Sequence, residues 1–103
     1  MSVIIYQKCL EAALKDPDIQ SGIAEREQYA LSLVEVKSTF VDYWPNYQGF
    51  QITRVRILFN YQNSRNQRYQ EDISVDVDYR VQLSDGQEEY NVVGKIASSI
   101  YPH

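Results

Sequence analysis

Residues 72–83 alternate strictly between apolar and polar side chains, and this pattern constrains the fold more than any other feature of the chain. The apolar positions are Ile73, Val75, Val77, Tyr79, Val81 and Leu83, and the polar positions between them are Asp72, Ser74, Asp76, Asp78, Arg80 and Gln82. Because successive side chains of a β-strand point to opposite faces, the pattern predicts a strand with one apolar and one polar face. The sheet that contains this strand should pack one side against other elements and leave the other in water.

The predicted strand is also unusually long. At about 3.3 Å per residue it spans nearly 40 Å, whereas an ordinary strand has about five or six residues. A strand of this length must bend strongly or extend beyond its own domain, and an overhanging strand could pair with a neighbouring subunit. We therefore expect self-association through the sheet.

The length and composition of the chain are those of one small folded domain. It has 103 residues, 44% of them hydrophobic, which is enough for a modest core and places 1–103 in a single domain. The net charge of −4 argues weakly against a protein that holds nucleic acid through its overall field. The single cysteine, Cys9, excludes an intramolecular disulfide and a multi-cysteine zinc site, and it suits a reducing compartment.

No targeting or membrane signal is recognisable in the sequence. The first residues, Met1–Tyr6, lack the basic head and long apolar core of a secretory signal. No stretch approaches the roughly 18 apolar residues that a bilayer span requires. We therefore expect a soluble cytoplasmic protein, or a virion-associated one if it is viral, with no membrane partner.

The first third of the chain, 1–33, has the residue pattern of helix. Apolar residues recur at helical spacing at Ile5, Tyr6, Cys9, Leu10, Ala13 and Leu14. Ser2 is a suitable N-cap, and Pro17 interrupts the pattern where Asp16 can cap a second helix. One kinked helix and two short helices both fit this pattern, and the helix-to-strand boundary is ambiguous near Tyr29–Val34.

Three further segments alternate and complete a predicted four-stranded sheet. They run from Val34 to Trp44, from Phe50 to Tyr61 and from Glu89 to Ile96, and turn residues such as Ser84-Asp85-Gly86-Gln87 separate the strands. In the first segment the residues expected to share one face are Val34, Val36, Ser38, Phe40, Asp42 and Trp44. The second segment changes phase, which predicts a β-bulge near Thr53-Arg54, and Gly94 predicts another bulge in the last strand.

Together these segments predict an α+β domain. An N-terminal helix or two short helices pack on one face of a four-stranded antiparallel meander sheet. The helical part covers 1–33, the sheet covers 34–96, and 97–103 form a short tail.

Acidic side chains supply one candidate surface. The residues of this candidate acidic face are Asp72, Asp76, Asp78, Glu88 and Glu89. Paired carboxylates can bind Ca²⁺ or act as acid and base, but no loop has the spacing of a calcium site and no His or Cys joins them. We therefore expect no metal, and we interpret the face as solvated charge that discourages edge aggregation. An inhibitor could also present such a face as a mimic of phosphate charge.

Four arginines fall within a segment that contains no acid, and they supply a second candidate surface: Arg54, Arg56, Arg65 and Arg68. Aromatic residues are interleaved with them, and arginines with aromatics on a sheet are typical of nucleic-acid binding. The alternative is cross-strand pairing, in which the acids of 71–89 neutralise Arg54 and Arg56. Arg65 and Arg68, on the predicted loop, are then the better candidates for partner contact.

The sequence contains no residue set for catalysis. Cys9 falls on the predicted buried stripe of a helix, where cysteine is usually inert, and the one histidine is His103. The four glycines are isolated from one another, so no phosphate-binding loop is predicted. We therefore expect a protein that is not an enzyme and that binds no cofactor.

Tyrosines are unusually frequent and favour a contact surface. There are nine, and tyrosine suits half-buried positions and interfaces because its ring is apolar and its tip is polar. The candidate partner-contact residues are Trp44, Tyr47, Tyr61, Arg65, Arg68 and Tyr69. Trp44 fits a core position at a strand end equally well.

These features predict a non-catalytic protein-binding or assembly module. It could be a small viral structural or adaptor subunit, or an acidic inhibitor protein, with a protein partner or self-association. The alternative is a nucleic-acid-binding module that uses the Arg and Tyr surface of the second strand and its loop. A third hypothesis is a small-ligand pocket between helix and sheet, which no specific motif supports.

Overall fold

Two helices cover one face of an antiparallel sheet whose four long strands follow one another in chain order, which confirms the predicted α+β fold. The computed structural model describes residues 3–45, 48, 50–82, 84–98 and 100–102. The residues named above that lie outside these ranges are Met1, Ser2, Tyr47, Leu83 and His103. The elements are α1 (Val3–Leu14), α2 (Pro17–Gln28), β1 (Ser32–Pro45), β2 (Gln51–Gln62), β3 (Arg68–Val81), β4 (Glu88–Ala97) and β5 (Tyr101–Pro102).

The N-terminal part forms two helices rather than one kinked helix. Pro17 lies in the first turn of α2, and the Asp16 side chain caps this helix by accepting a hydrogen bond from the Ile19 N–H at 3.3 Å. α2 ends at Gln28 because Ala30, two residues later, has a left-handed backbone with φ of 61°. The helical part is therefore shorter than the sequence predicted. Neither helix has the length and apolarity that crossing a membrane would require.

The core lies between the helices and the centre of the sheet. The covered face is called the helix side here, and the opposite face is called the open side. The buried apolar residues are Cys9, Ala13, Ile19, Val55, Ile57, Phe59, Tyr61, Ile73, Val75 and Val77. The predicted alternation is confirmed where β3 supplies Ile73, Val75 and Val77 to this core. Asp78 differs from the expectation, because it lies on the open side and yet is only 5% exposed.

β3 lies inside the sheet and does not overhang it. β2 pairs with it over 68–79 on one side, and β4 over 73–81 and β5 over 69–70 pair with it on the other. The overhang, one of the two alternatives that the length of this strand offered, is wrong because β3 has long neighbours. β2 has 12 residues on one side, and β4 with 10 residues and β5 with two lie on the other. The predicted tail 97–103 also contains a short strand, because Tyr101–Pro102 form β5 and pair with β3.

The strand irregularities lie partly where the sequence predicts them. The bulge expected near Thr53-Arg54 is wrong, because β2 pairs with β3 without interruption. The irregularity is in the neighbouring strand, where Val41 of β1 is an extra residue without a partner in β2. β4 contains the bulge that Gly94 predicts, and the extra residue is its neighbour Val93.

The extra residue in β1 changes which side chains share a face. Val36 and Phe40 lie on the helix side as a pair, as the sequence predicts. After Val41 the alternation shifts by one, so Tyr43 joins the helix side and Trp44 joins the open side. The expectation that Trp44 shares a face with Phe40 is therefore wrong.

Candidate functional site

β1 forms one edge of the sheet. It pairs with β2 on one side, and within the described ranges no strand pairs with its other side. Extra residues at Val34 and Val41 interrupt the strand near both ends, so its regular part runs over 35–40. An edge of this kind presents unpaired backbone N–H and C=O groups, which can pair with a strand of another chain.

The helices leave part of β1 uncovered on the helix side. α1 packs mainly across β2, β3 and β4, which lie further into the sheet. Consequently Val36 is 40% exposed, Phe40 39% and Tyr43 49%, although all three lie on the face that is buried in the other strands. We call the unpaired edge over 35–40, together with these three side chains, the edge surface.

Tyr6 of α1 contacts the edge surface. Its hydroxyl donates a hydrogen bond to Ser38 Oγ at 2.8 Å. Its ring stands perpendicular to that of Phe40, with 6.4 Å between centroids, and Phe40 is in turn 6.0 Å from Tyr43. These contacts hold the exposed rings in fixed positions, which lowers the entropy that a partner must remove on binding.

The open side carries a row of ion pairs between neighbouring side chains. Arg54 donates two hydrogen bonds to Asp76, at 2.7 and 3.0 Å, and Arg56 Nε donates to Asp72 Oδ2 at 2.9 Å. The hydrogen bonds and charge of these carboxylates raise the pKa of both guanidinium groups. This is the cross-strand neutralisation that the sequence offered as the alternative to nucleic-acid binding.

The remaining residues of the candidate acidic face are also paired. Asp78 accepts a hydrogen bond from Arg80 Nε at 2.8 Å, and Glu89 accepts one from the Gln82 side chain. Glu88 accepts hydrogen bonds from Lys8 at 2.7 Å and from the Tyr90 hydroxyl at 3.0 Å, which hold the pKa of Glu88 below its ordinary value. All five acids therefore accept a hydrogen bond from a neighbour, and four of them accept it from a cation. The five do not share one face, because Glu88 lies on the helix side, where it meets Lys8 of α1.

The candidate contact residues do not converge on one site. Trp44 lies half-buried on the open side at one end of β2, with the Arg54 guanidinium 5.1 Å from its ring centroid. Arg65 and Arg68 lie at the other end of β2, exposed and without an ion pair to any described residue. Tyr47 lies outside the described residues.

Two of the candidate tyrosines belong to the core instead. Tyr61 is fully buried, and the Arg26 guanidinium of α2 lies 5.6 Å from its ring centroid. Tyr69 is half-buried and packs against the same core. The full burial of Tyr61 leaves its ring no free face on which a base could stack.

A cleft lies between α1 and β4. Its volume is about 630 Å³, and Lys8, Lys15, Asp16, Glu88 and Tyr90 are among its lining residues. The Lys8–Glu88 ion pair crosses it, so the cleft is polar and its charges are largely matched. Across the described part of the chain, no group of three or more His, Cys, Asp or Glu is placed to hold a metal ion.

Sequence reasoning missed the residues of the edge surface. The alternation predicts that Val36 and Phe40 share one strand face, but how far the helices cover that face depends on where the helices lie. Simple alternation from Phe40 predicts that Tyr43 lies on the opposite face, because an extra valine at position 41 leaves no signature in the residue pattern. Two sequence signals point towards a contact surface of this kind without locating it. They are the frequency of tyrosine and the strand length that predicts self-association through the sheet.

Comparisons with models of protein families, with curated proteins and with solved structures find no match to this chain. Its function must therefore be inferred from its own residues and their arrangement.

Proposed function

We propose that this chain is a non-catalytic protein-binding or assembly module that contacts its partner through the edge surface. The observation that carries the proposal is the exposure of Val36, Phe40 and Tyr43 beside an unpaired strand edge. A partner strand added to β1 would satisfy the free backbone groups, and the three side chains would give the contact its specificity.

The edge surface suits a specific contact rather than open-ended aggregation. The extra residues Val34 and Val41 limit the regular edge to 35–40, and bulges of this kind are a common way to restrict strand addition. Glu35 and Lys37 lie on the open side of the same segment, with 3.6 Å between Lys37 Nζ and Glu35 Oε1. A partner must therefore match a short segment with an apolar and a charged side.

A structural or adaptor subunit, cytoplasmic or virion-associated, fits this surface better than an acidic inhibitor protein. An inhibitor that mimics phosphate would present unpaired carboxylates, whereas Asp72 and Asp76 accept hydrogen bonds from Arg56 and Arg54. The single cysteine, Cys9, is buried in the core, which is compatible with a reducing compartment.

The nucleic-acid alternative receives less support from the arrangement of its residues. It needs free arginines beside exposed aromatic rings. Arg54 and Arg56 are engaged by carboxylates, and Tyr61 is buried. Arg65 and Arg68 alone offer too small a cationic surface to carry that proposal.

Site-specific photocrosslinking tests the proposed function. A photoreactive phenylalanine analogue replaces Val36, and as a matched control it replaces Glu25, which is exposed on α2 and is not part of the edge surface. In lysate of the cells that make the protein, we expect one discrete crosslinked product from position 36 and none from position 25. The same products from both positions, or none from either, would contradict the proposal.

A further inference from the structure

We infer that the partner of the edge surface is a second copy of this chain, paired antiparallel through β1 about a two-fold axis at Ser38. This inference rests on the function proposed above and names the partner. The two sheets would join into one, with four long strands from each copy.

The placement of the axis follows from the residues of the regular segment 35–40. In two-fold antiparallel pairing, each residue faces the residue at the same distance on the other side of the axis, on the same side of the sheet. An axis at Ser38 places Val36 opposite Phe40 of the second copy, and Phe40 opposite its Val36. On the open side it places Lys37 opposite Thr39, so no two like charges are directly opposed.

The neighbouring placements of the axis are less favourable. An axis at Lys37 sets the two ammonium groups directly opposite each other, which is destabilising. With an axis at Val36, uninterrupted pairing between the two strands covers only 35–37, because the extra residue Val34 comes next. With the axis at Ser38, uninterrupted pairing covers 36–40. The axis at Ser38 therefore combines the longer uninterrupted pairing with acceptable charges.

The helix side of the edge surface is complementary to itself about this axis. Tyr6 contacts both Ser38 and Phe40, so the two copies would bring Tyr6, Val36 and Phe40 into one continuous apolar cluster. Val34, Val36, Phe40, Val41 and Tyr43 are each 39% to 49% exposed. From side chains of this size we estimate on the order of 400 Å² of apolar surface per copy, against ~800 Å² per partner in a standard interface. The expected dimer is therefore a weak one, in micromolar exchange with monomer.

The opposite edge of the sheet differs from β1 in ways that favour closure at two copies. It consists of the shorter β4, which is interrupted at Val93, and of the two-residue β5. A two-fold contact uses the same edge of each copy, so both β1 edges are consumed when the dimer forms. A filament would need a different and less regular edge.

Sedimentation analysis over a range of concentrations tests the dimer. We expect masses that rise from monomer to dimer and stop there. Val36→Lys should weaken dimerisation by about tenfold or more, because it places a charge opposite Phe40 of the second copy. Val93→Lys is the matched control, since Val93 is 56% exposed on the opposite edge, and it should leave the dimerisation constant unchanged. Circular dichroism verifies that both variants are folded.

Disulfide trapping tests the axis independently. The residue on the axis lies directly opposite its own copy, at a distance that a disulfide can span. A residue two places from the axis lies opposite a different residue, so it is too far from its own copy for a disulfide. Under mild oxidation Ser38→Cys should give a covalent dimer faster than Val36→Cys, and wild-type protein should give none because its Cys9 is buried. Faster trapping through Val36→Cys would overturn the axis at Ser38.

The outcomes separate this inference from the function on which it rests. The purified protein could stay monomeric up to millimolar concentration while position 36 crosslinks to a different protein in lysate. That pair of results would overturn the self-pairing but would leave the proposed binding function intact. A monomer with no specific crosslink would overturn both. A dimer that Val36→Lys leaves intact would overturn the use of β1.

Discussion

The ion pair between Arg26 and Glu71 ties α2 to the centre of the sheet and gives the sharpest stability prediction. Arg26 donates one hydrogen bond to the Glu71 carboxylate and another to the Gly22 carbonyl at 2.9 Å. The side chains of Arg26 and Glu71 are only 22% and 10% exposed. Burial raises the pKa of the Glu71 carboxyl, and the charge of Arg26 offsets this only in part.

Replacing either Arg26 or Glu71 alone should therefore lower the free energy of unfolding much more than replacing both. Glu71→Leu leaves a half-buried guanidinium without its carboxylate, and Arg26→Met leaves a buried carboxylate alone. Loss of one partner of a buried pair costs 3–5 kcal/mol, and because Arg26 is partly exposed we expect about 2–3 kcal/mol for each single substitution. The double variant Arg26→Met/Glu71→Leu should lie within about 1 kcal/mol of wild type, since apolar replacement avoids the desolvation of both charges. The coupling energy is then about 3 kcal/mol or more.

Urea denaturation of the four proteins, followed by circular dichroism, measures this coupling. The Arg56–Asp72 pair is the matched control, because its side chains are 51% and 21% exposed and water screens their charges, so its coupling should be clearly smaller than that of Arg26 and Glu71. The pH dependence gives a second readout for Arg26→Met. A carboxyl whose pKa is higher in the folded state takes up its proton there first. This variant should therefore regain stability relative to wild type as the pH falls through the folded-state pKa of Glu71 and on to its unfolded-state pKa. Equal coupling energies for the two pairs would refute the reasoning from burial.

Two further predictions concern local structure. Gly86 has φ of 71° in the β3–β4 hairpin, so Gly86→Ala should lower the free energy of unfolding by about 1 kcal/mol and Gly86→Asn by less, as measured by urea denaturation. Asp16 caps α2 and accepts a hydrogen bond from Lys95 at 2.7 Å, so Asp16→Ala should cost about 1–2 kcal/mol, whereas Asp16→Asn keeps the cap and should cost less. Although burial raises the pKa of Asp16, the hydrogen bonds from Lys95 and Ile19 bring it below its ordinary value. Its ionised form therefore stabilises the fold above the unfolded-state pKa, and the advantage of wild type over Asp16→Asn should disappear as the pH falls through the lowered folded-state pKa.

The sequence predicts the fold best where one side of a strand is fully buried. Val75 and Val77 are fully buried at alternate positions of β3, as the residue pattern requires. Gly86 marks the hairpin because its left-handed backbone is one that few other residues adopt readily. Pro17 with its cap Asp16 likewise determines where the second helix begins. In each case the signal is local, and the residue type leaves few alternatives.

The features that the sequence does not predict depend on contacts between distant segments. The extra residue Val41 has no special residue type, so the pattern of β1 alone does not locate it. Asp78 is buried although it occupies a polar position of the alternation, and no described residue forms a hydrogen bond with its Oδ1 atom. The exposure of Val36 and Phe40 depends on which strands α1 covers. Candidate contact residues chosen by type alone therefore included Tyr61, which belongs to the core.

The distribution of charge between the two sides of the sheet favours contact along the edge over contact across the open side. A partner that covered the open side would have to desolvate the Arg54–Asp76 and Arg56–Asp72 pairs, and removing charged groups from water is unfavourable. A partner strand at β1 leaves those pairs in water. It buries Val36 and Phe40 instead, whose apolar surface gains about 25 cal/mol per Å² on leaving water. Two features therefore favour the same contact, in which a partner strand extends the sheet beside β1. One is the pairing of charges on the open side, and the other is the incomplete cover of β1 by the helices on the helix side.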